Sequence, residues 1–177
     1  MATVEFAPKQ SETEAITAHV IWMTTGLSCD GDSVGMTSAT NPSLEDIITG
    51  AIPGMPQVIV HNPVLAFEQG AEFMQAWYDA EAGKLDPFVL IVEGSLPNEK
   101  INGEGHFAGM GVNPSNGQPI TTNEWIDRLA PKSAATVALG TCATYGGIPA
   151  MKNNPTGAMG LCDYLGWGWT SAWRLDR

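Results

Sequence analysis

The chain has 177 residues and a formal net charge of −11, from 19 acidic and 8 basic side chains. Nucleic acid is excluded as the main partner, because phosphate binding needs a face of lysine and arginine. A hydrophobic content of 44% excludes a disordered chain and indicates a globular domain with a real core. No apolar run reaches the roughly 18 residues that a membrane-spanning helix needs, so no such helix is predicted.

Residues 1–17, MATVEFAPKQSETEAIT, are polar and mildly acidic, which predicts a flexible N-terminal arm before one domain at residues 18–177. They lack the basic start and the apolar stretch of an export signal. We therefore expect a cytoplasmic protein, in which thiols stay reduced. The odd number of cysteines, 3, also disfavours a disulfide framework.

The first predicted strand is the apolar run HVIWM at residues 19–23. A helix over residues 43–51 follows, because Ser43 and Asp46 have the spacing of a capping box. Residues 57–61, QVIVH, form the second predicted strand. Both strands are continuous apolar runs, which is typical of strands that are covered on both faces.

The longest predicted helix spans residues 64–82. Phe67 and Met74 lie two helical turns apart in this segment, so both are expected on its buried face. Gly83 follows as a candidate C-terminal cap, because glycine readily adopts the left-handed conformation that such caps need.

The third and fourth predicted strands are FVLIV at residues 88–92 and AATVAL at residues 134–139. Between them lie a long loop region rich in glycine, asparagine and proline, at 94–120, and a short capped helix at 121–129. Strands that alternate with helices predict an α/β fold of three layers, with a parallel central sheet and helices on both faces.

Two of the three cysteines follow predicted strands: Cys29 comes after the first strand and Cys142 after the fourth. Ligands of parallel sheets bind beyond the carboxyl ends of the strands, so both thiols are expected at one edge of the sheet. Each cysteine alone also fits a small buried core residue. Together, in loops rich in glycine, they favour a thiolate metal site, because glycine permits the close backbone approach that an iron–sulfur cluster needs.

Other types of site have weaker support. Zinc lacks the CxxC or HxxxH spacing that would favour it. The loop GLSCDGDS has the small residues of a phosphate loop, but it contains no lysine, and Asp30 and Asp32 would repel an anion. His19, His61 and His106 are isolated in the sequence, which is typical of packed or solvated residues. A cysteine–histidine nucleophilic pair stays open, although no elbow motif supports it.

Several long motifs identify a family. They are IWMTTGLSCDGDS, HNPVLAFEQGAEF, FVLIVEGSLPNEKINGEG, TTNEWIDRLAPK and ALGTCATYGGIPA. The combination of the first cysteine loop, the EGS turn and GTCATYGG is highly specific. From residue 20 to about residue 169 the chain resembles the N-terminal domain of nickel–iron hydrogenase small subunits, and most closely the cytoplasmic uptake hydrogenases that lack an export signal.

The resemblance implies a flavodoxin-like domain that holds the iron–sulfur cluster nearest to a nickel–iron centre. That centre belongs to the large subunit. Carried over by position, the cluster ligands are Cys29, Asp32 and Cys142, with Asp32 at the place of the second cysteine of the family's CxxC motif. The cluster would be a 4Fe–4S or a 3Fe–4S cluster.

The 177 residues contain no counterpart of the family's fourth ligand, a cysteine in a PGCP loop, or of the C-terminal region that carries two outer clusters. Cys162 is either a core residue of a terminal helix or a substitute fourth ligand. Asp32 is either an iron ligand or a solvated residue that caps its loop.

The function that the resemblance implies is the electron-transfer small subunit of a nickel–iron uptake hydrogenase, in a hetero-oligomer with a large subunit and with a downstream electron acceptor. Two alternatives stay open: a cluster-free assembly or interaction subunit of the same fold, and a flavin-binding electron carrier. Ser28 and Thr141, next to the ligands, are expected to tune the cluster by hydrogen bonds. Glu93, at a strand exit, lines the subunit interface or a proton route, or else caps a loop.

Overall fold

A four-stranded parallel sheet forms the centre of the protein. The computed structural model describes residues 17–101 and 107–171. The strands are β1 (Thr17–Thr24), β2 (Gln57–His61), β3 (Phe88–Glu93) and β6 (Ala135–Leu139), in the order β2-β1-β3-β6. The predicted α/β fold with a parallel central sheet is confirmed. The predicted arm at residues 1–17 lies outside the described residues except for Thr17, the first residue of β1.

The strand register explains why the loops after three of the strands lie side by side. Thr24, the last residue of β1, pairs with Glu93, the last residue of β3. Glu93 in turn pairs with Leu139, the last residue of β6. All three strands therefore end at one level, and the chain segments that follow them share one edge of the sheet.

Six α-helices surround the sheet in the part of the chain that the structure describes. They are α1 (Gly31–Met36), α2 (Leu44–Ile48), α3 (Gly70–Glu81), α4 (Thr122–Leu129), α5 (Gly140–Tyr145) and α6 (Leu161–Leu165). The predicted capping box is present at the start of α2, between Ser43 and Asp46. The cap of α4 is present too, since the Thr121 hydroxyl accepts from the backbone N–H of Glu124 at 3.1 Å. The short helices α1 and α5 were not predicted, whereas α6 contains Cys162, for which a terminal helix was one of the two interpretations.

The predicted start of the long helix is wrong. Helix α3 begins at Gly70, not at residue 64, because the backbone of Gln69 is extended, with φ of −137° and ψ of 156°, and interrupts the helix there. Before this break, the Asn62 carbonyl accepts from the N–H of Ala66 at 2.9 Å, and the Asn62 side chain accepts from the N–H of Val64 at 2.8 Å, which forms a separate turn. Phe67, expected on a buried helix face, is instead 98% exposed.

A small antiparallel hairpin lies within the region that was predicted as a loop. It pairs β4 (Gly109–Val112) with β5 (Pro119–Thr121). The indole of Trp125 donates to the Met110 carbonyl at 2.8 Å, and the hydroxyl of Tyr78 donates to the Val112 carbonyl at 2.6 Å. The hairpin is thus fixed onto α3 and α4, and no alternation of apolar and polar residues marks its two short strands in the sequence.

The core fills the space between the sheet and the helices. Trp77 of α3 and Trp125 of α4 are completely buried, together with Leu90 of β3 and Ile126. This packing makes the sheet a rigid support for the loops at its carboxyl edge. Among the described residues, no helix is both long and apolar enough to cross a membrane.

Two histidines on neighbouring strands form a stacked pair. Nδ1 of His19 lies 3.1 Å from Nε2 of His61, and the ring planes differ by 8°. Burial lowers the pKa of both imidazoles, and the charge of His19 lowers the pKa of His61 further, against a smaller opposing effect of Glu68. The fold therefore favours the neutral pair, because one ring must accept the hydrogen bond that the other donates.

We expect the protein to lose stability as the pH falls below the ordinary histidine value of 6.5. Folding lowers the pKa of both histidines. Between pH 6.5 and the lower pKa values of the folded protein, the unfolded chain therefore binds more protons than the folded chain, and protonation favours unfolding. The melting temperature measured from neutral pH to about pH 5 should fall, and His61→Gln, which does not titrate, should flatten this fall. An equal pH dependence of the two proteins would contradict the prediction.

Candidate functional site

The first cysteine lies on a loop that is tied to the end of β3. The backbone N–H of Thr25 donates to the Glu93 carbonyl at 2.9 Å, and the Thr25 hydroxyl donates to the Ser95 carbonyl at 2.7 Å. Asp30 caps α1 in the left-handed conformation, with φ of +56°. Cys29, just before this cap, is exposed. Its thiol is therefore held on a fixed loop and is accessible at the carboxyl edge of the sheet.

Asp32 connects this loop to the loop that follows β6. The Asp32 carboxylate packs directly against the backbone of Gly140, so that a Cβ atom at residue 140 would overlap Asp32 Oδ2 and lie 3.1 Å from Asp32 Cγ. Gly140 also has a φ of +77°, a conformation that side chains rarely adopt. Both features require glycine here, and Gly140 lies only two residues before Cys142.

Cys142 lies in α5, directly after β6, and is half-buried. Gly147 packs against it: a Cβ atom at residue 147 would overlap Cys142 Sγ and lie 2.8 Å from Cys142 Cα. The backbone of Gly147 therefore lies close to the Cys142 sulfur. Cys29, Asp32 and Cys142 all lie on loops or first helical turns at the same edge, but their role as ligands stays a prediction.

The donor chemistry of this edge fits a multi-iron cluster. Cys29 and Cys142 are free thiols. Within residues 17–101 and 107–171, no three histidine, cysteine or acidic side chains converge closely enough to hold a single metal ion. A structural zinc site needs four ligands around one ion, so this arrangement does not support zinc. The ligands of a cluster bind different irons and need not surround one point.

Cys162 lies on α6, which packs against α5, the helix of Cys142. It is half-buried in α6 and lines a groove of about 440 Å³ along β6, together with Trp167 and Trp169. The interpretation of Cys162 as a substitute ligand stays a prediction. His106 lies outside the described residues, and His19 and His61 are occupied by each other.

Glu93 caps the helix that carries Asp32. Its side chain is 2% exposed and accepts hydrogen bonds from the backbone N–H groups of Asp32, at 3.0 Å, and Ser33, at 3.2 Å. Of the interpretations offered for Glu93, the geometry supports loop capping. The sequence analysis missed two residues that continue these hydrogen bonds: the Ser33 hydroxyl donates to Glu93, and the Asn62 side chain donates to Ser33. Ser33 is a small polar residue three positions after Asp30, and this pattern has no distinctive meaning in a sequence.

Exposed apolar side chains follow the candidate ligands along the chain. Val34 of α1 comes two residues after Asp32, and Tyr145 ends α5. Ile148, directly after α5, is 80% exposed. Large apolar side chains that are exposed around a site are typical of a surface that another protein covers.

The chain is similar to a known protein family and to hydrogenase small subunits. A family model described as "NADH ubiquinone oxidoreductase, 20 Kd subunit" matches residues 29–167. The periplasmic [NiFeSe] hydrogenase small subunit of Desulfomicrobium baculatum is 34% identical over 151 residues, covering 84% of this chain and 45% of the relative. The periplasmic [NiFe] hydrogenase small subunit 1 of Nitratidesulfovibrio vulgaris is 34% identical over 137 residues, covering 77% and 38%.

Among solved structures, the actinobacterial-type NiFe-hydrogenase of Ralstonia eutropha H16 superposes with a TM-score of 0.85 at 57% identity, covering 94% of this chain and 50% of that chain. The chain thus spans about half the length of the relatives it matches. Two of these relatives are named as periplasmic, whereas the expected cytoplasmic location of this chain stays a prediction. The chain belongs to the family described as NADH ubiquinone oxidoreductase, 20 Kd subunit, and its similarity to nickel–iron hydrogenase small subunits confirms the resemblance that its motifs indicate.

Proposed function

We propose that this chain is the electron-transfer small subunit of a nickel–iron uptake hydrogenase, which takes electrons from the oxidation of H2 in a large subunit and passes them through an iron–sulfur cluster to a downstream acceptor. The observation that carries the proposal is the contact of Asp32 with Gly140. This contact brings the Cys29 loop against the loop of Cys142. The sequences of these loops are also among the motifs that carry the resemblance to the family.

Cys29, Asp32 and Cys142 would hold the cluster, which supplies reversible one-electron transfer when it is bound. The two thiolates are soft donors that suit iron–sulfur chemistry. The Asp32 carboxylate carries the same charge as a thiolate, but it is a harder oxygen donor and should hold its iron more weakly. Either a 4Fe–4S cluster with one weakly held iron or a 3Fe–4S cluster is compatible with this donor set.

The proposed partner is a large subunit that contains the nickel–iron centre. The exposed side chains of Val34, Tyr145 and Ile148 support a protein interface next to the candidate ligands. Placing the thiols beside such an interface would keep the electron path between the two subunits short and would exclude water from it. We propose a cytoplasmic location for this complex.

Anaerobic purification of the chain tests the proposal. The protein should be brown, absorb broadly in the visible range and contain iron and sulfide in comparable amounts. A yellow protein that releases a fluorescent flavin would favour the flavin-binding carrier. A colourless, iron-free chain that still binds a hydrogenase large subunit would favour the assembly subunit, and either result would overturn the proposal.

A further inference from the structure

The Glu93 carboxylate is the centre of a buried hydrogen-bond network that reaches the Cys29 loop. Its Oε2 atom accepts from the indole of Trp22 at 2.9 Å and from both the backbone N–H and the hydroxyl of Ser33, at 3.2 Å and 2.5 Å. Its Oε1 atom accepts from the backbone N–H of Asp32 at 3.0 Å. The described residues thus give this carboxylate four hydrogen bonds, all from uncharged donors.

All four hydrogen bonds run toward Glu93. The indole of Trp22 and the two backbone N–H groups can only donate. The Ser33 hydroxyl donates to Glu93 as well, because it accepts from the side-chain amide of Asn62 at 2.9 Å. These donors come from both sides of the carboxyl group and fix its orientation under the loop.

The network joins the ends of three strands to one helical turn. Trp22 belongs to β1, Asn62 directly follows β2, and Glu93 ends β3. Asp32 and Ser33 lie in the first turn of α1, where backbone N–H groups have no partner within the helix. Glu93 supplies the missing acceptor and so ties the loop segment from Cys29 to Asp32 to the rigid part of the sheet.

We propose that Glu93 is a positioning residue for the cluster ligands: its buried carboxylate fixes the backbone of Asp32, and hence the place of Asp32 beside Cys29. The part that concerns the cluster rests on the proposed function. The part that concerns the backbone depends only on the hydrogen bonds of Glu93. The backbone N–H of Asp32 donates to Glu93, and the carboxylate of Asp32 packs against the backbone of Gly140. Asp32 is therefore fixed from two sides.

The variant Glu93→Gln tests the bond to the Asp32 backbone. If its carbonyl oxygen takes the place of Oε2, it keeps the three bonds from Trp22 and Ser33. The amide NH2 then faces the N–H of Asp32, which loses its acceptor. The matched control Ser33→Ala removes only the hydroxyl and keeps both backbone N–H bonds to Glu93.

The first measurement is amide hydrogen exchange by NMR on the full chain without iron. In the wild type, the Asp32 N–H should be protected although it lies in a first helical turn. In Glu93→Gln its protection should fall by about 10-fold or more, because this N–H group loses its hydrogen-bond acceptor. In Ser33→Ala it should stay near the wild-type value. Rapid exchange of this amide in the wild type, or unchanged protection in Glu93→Gln, would overturn the proposal.

The second measurement uses the anaerobically reconstituted chain. Glu93→Gln should release iron to a chelator about 10-fold faster than the wild type, as is typical when the support of a metal ligand is removed. Ser33→Ala, which keeps the bond from the Asp32 N–H to Glu93, should release iron at the wild-type rate. Equal release rates in Glu93→Gln and in the wild type would overturn the role toward the cluster. A wild-type chain that takes up no iron overturns the proposed function alone, and the exchange measurement then still decides whether Glu93 fixes the loop.

Discussion

Cys29→Ala is expected to abolish iron binding by the anaerobically loaded chain. Cys29 is exposed on a loop whose neighbours are fixed by hydrogen bonds to β3 and by the cap of α1. A core thiol would be buried, and its loss would leave a cavity. The substitution of this exposed side chain should instead change the free energy of unfolding by less than about 0.5 kcal/mol. Iron content and visible absorbance, measured beside the melting temperature, separate the two roles.

Two further variants are comparisons for Cys29→Ala. Cys162→Ala should keep the iron, because Cys162 lines the groove along β6 rather than the loops of the candidate site. Asp32→Cys should make a 4Fe–4S cluster persist longer, because it replaces a hard oxygen donor with a thiolate. Full iron content in Cys29→Ala would show that this loop is not the site.

Ile148→Asp is expected to weaken the binding of the hydrogenase large subunit by about 30-fold or more, which corresponds to about 2 kcal/mol, the range of an interface hot spot. Ile148 is 80% exposed and begins a short 3-10 helix, Ile148–Ala150, directly after α5. In the free chain, an aspartate at this exposed position would be solvated. In a covered interface it would bury an unpaired charge, which is strongly unfavourable.

Met55→Asp provides a matched control for this variant. Met55 is also an exposed apolar residue, but it precedes β2 and therefore lies toward the amino ends of the strands, away from the edge that carries the cysteines. Its substitution should leave the affinity for the large subunit unchanged, as measured by co-purification or titration. Equal loss of affinity in both variants, or none in either, would remove the support for an interface around Ile148.

The sequence by itself determined the sheet and the edge at which the site is expected. Continuous apolar runs indicate strands that are covered on both faces, and the observed strand Gln57–His61 has the predicted bounds. Once the strands are parallel, the chain segments after β1 and β6 must lie at the same edge. The positions of Cys29 and Cys142 relative to one another follow from this local pattern and from topology, without any knowledge of the packing.

Only the tertiary structure decided which residues hold the loops in place. The contact of Asp32 with Gly140 and the bond of Asp32 to Glu93 join residues far apart in the sequence, and no periodicity or short motif encodes such pairs. The same holds for Asn62, whose side chain accepts from the N–H of Val64 and donates to the Ser33 hydroxyl. The partner of such a polar group is decided by the fold, because a buried N–H group or hydroxyl needs a hydrogen-bond partner wherever the fold provides one.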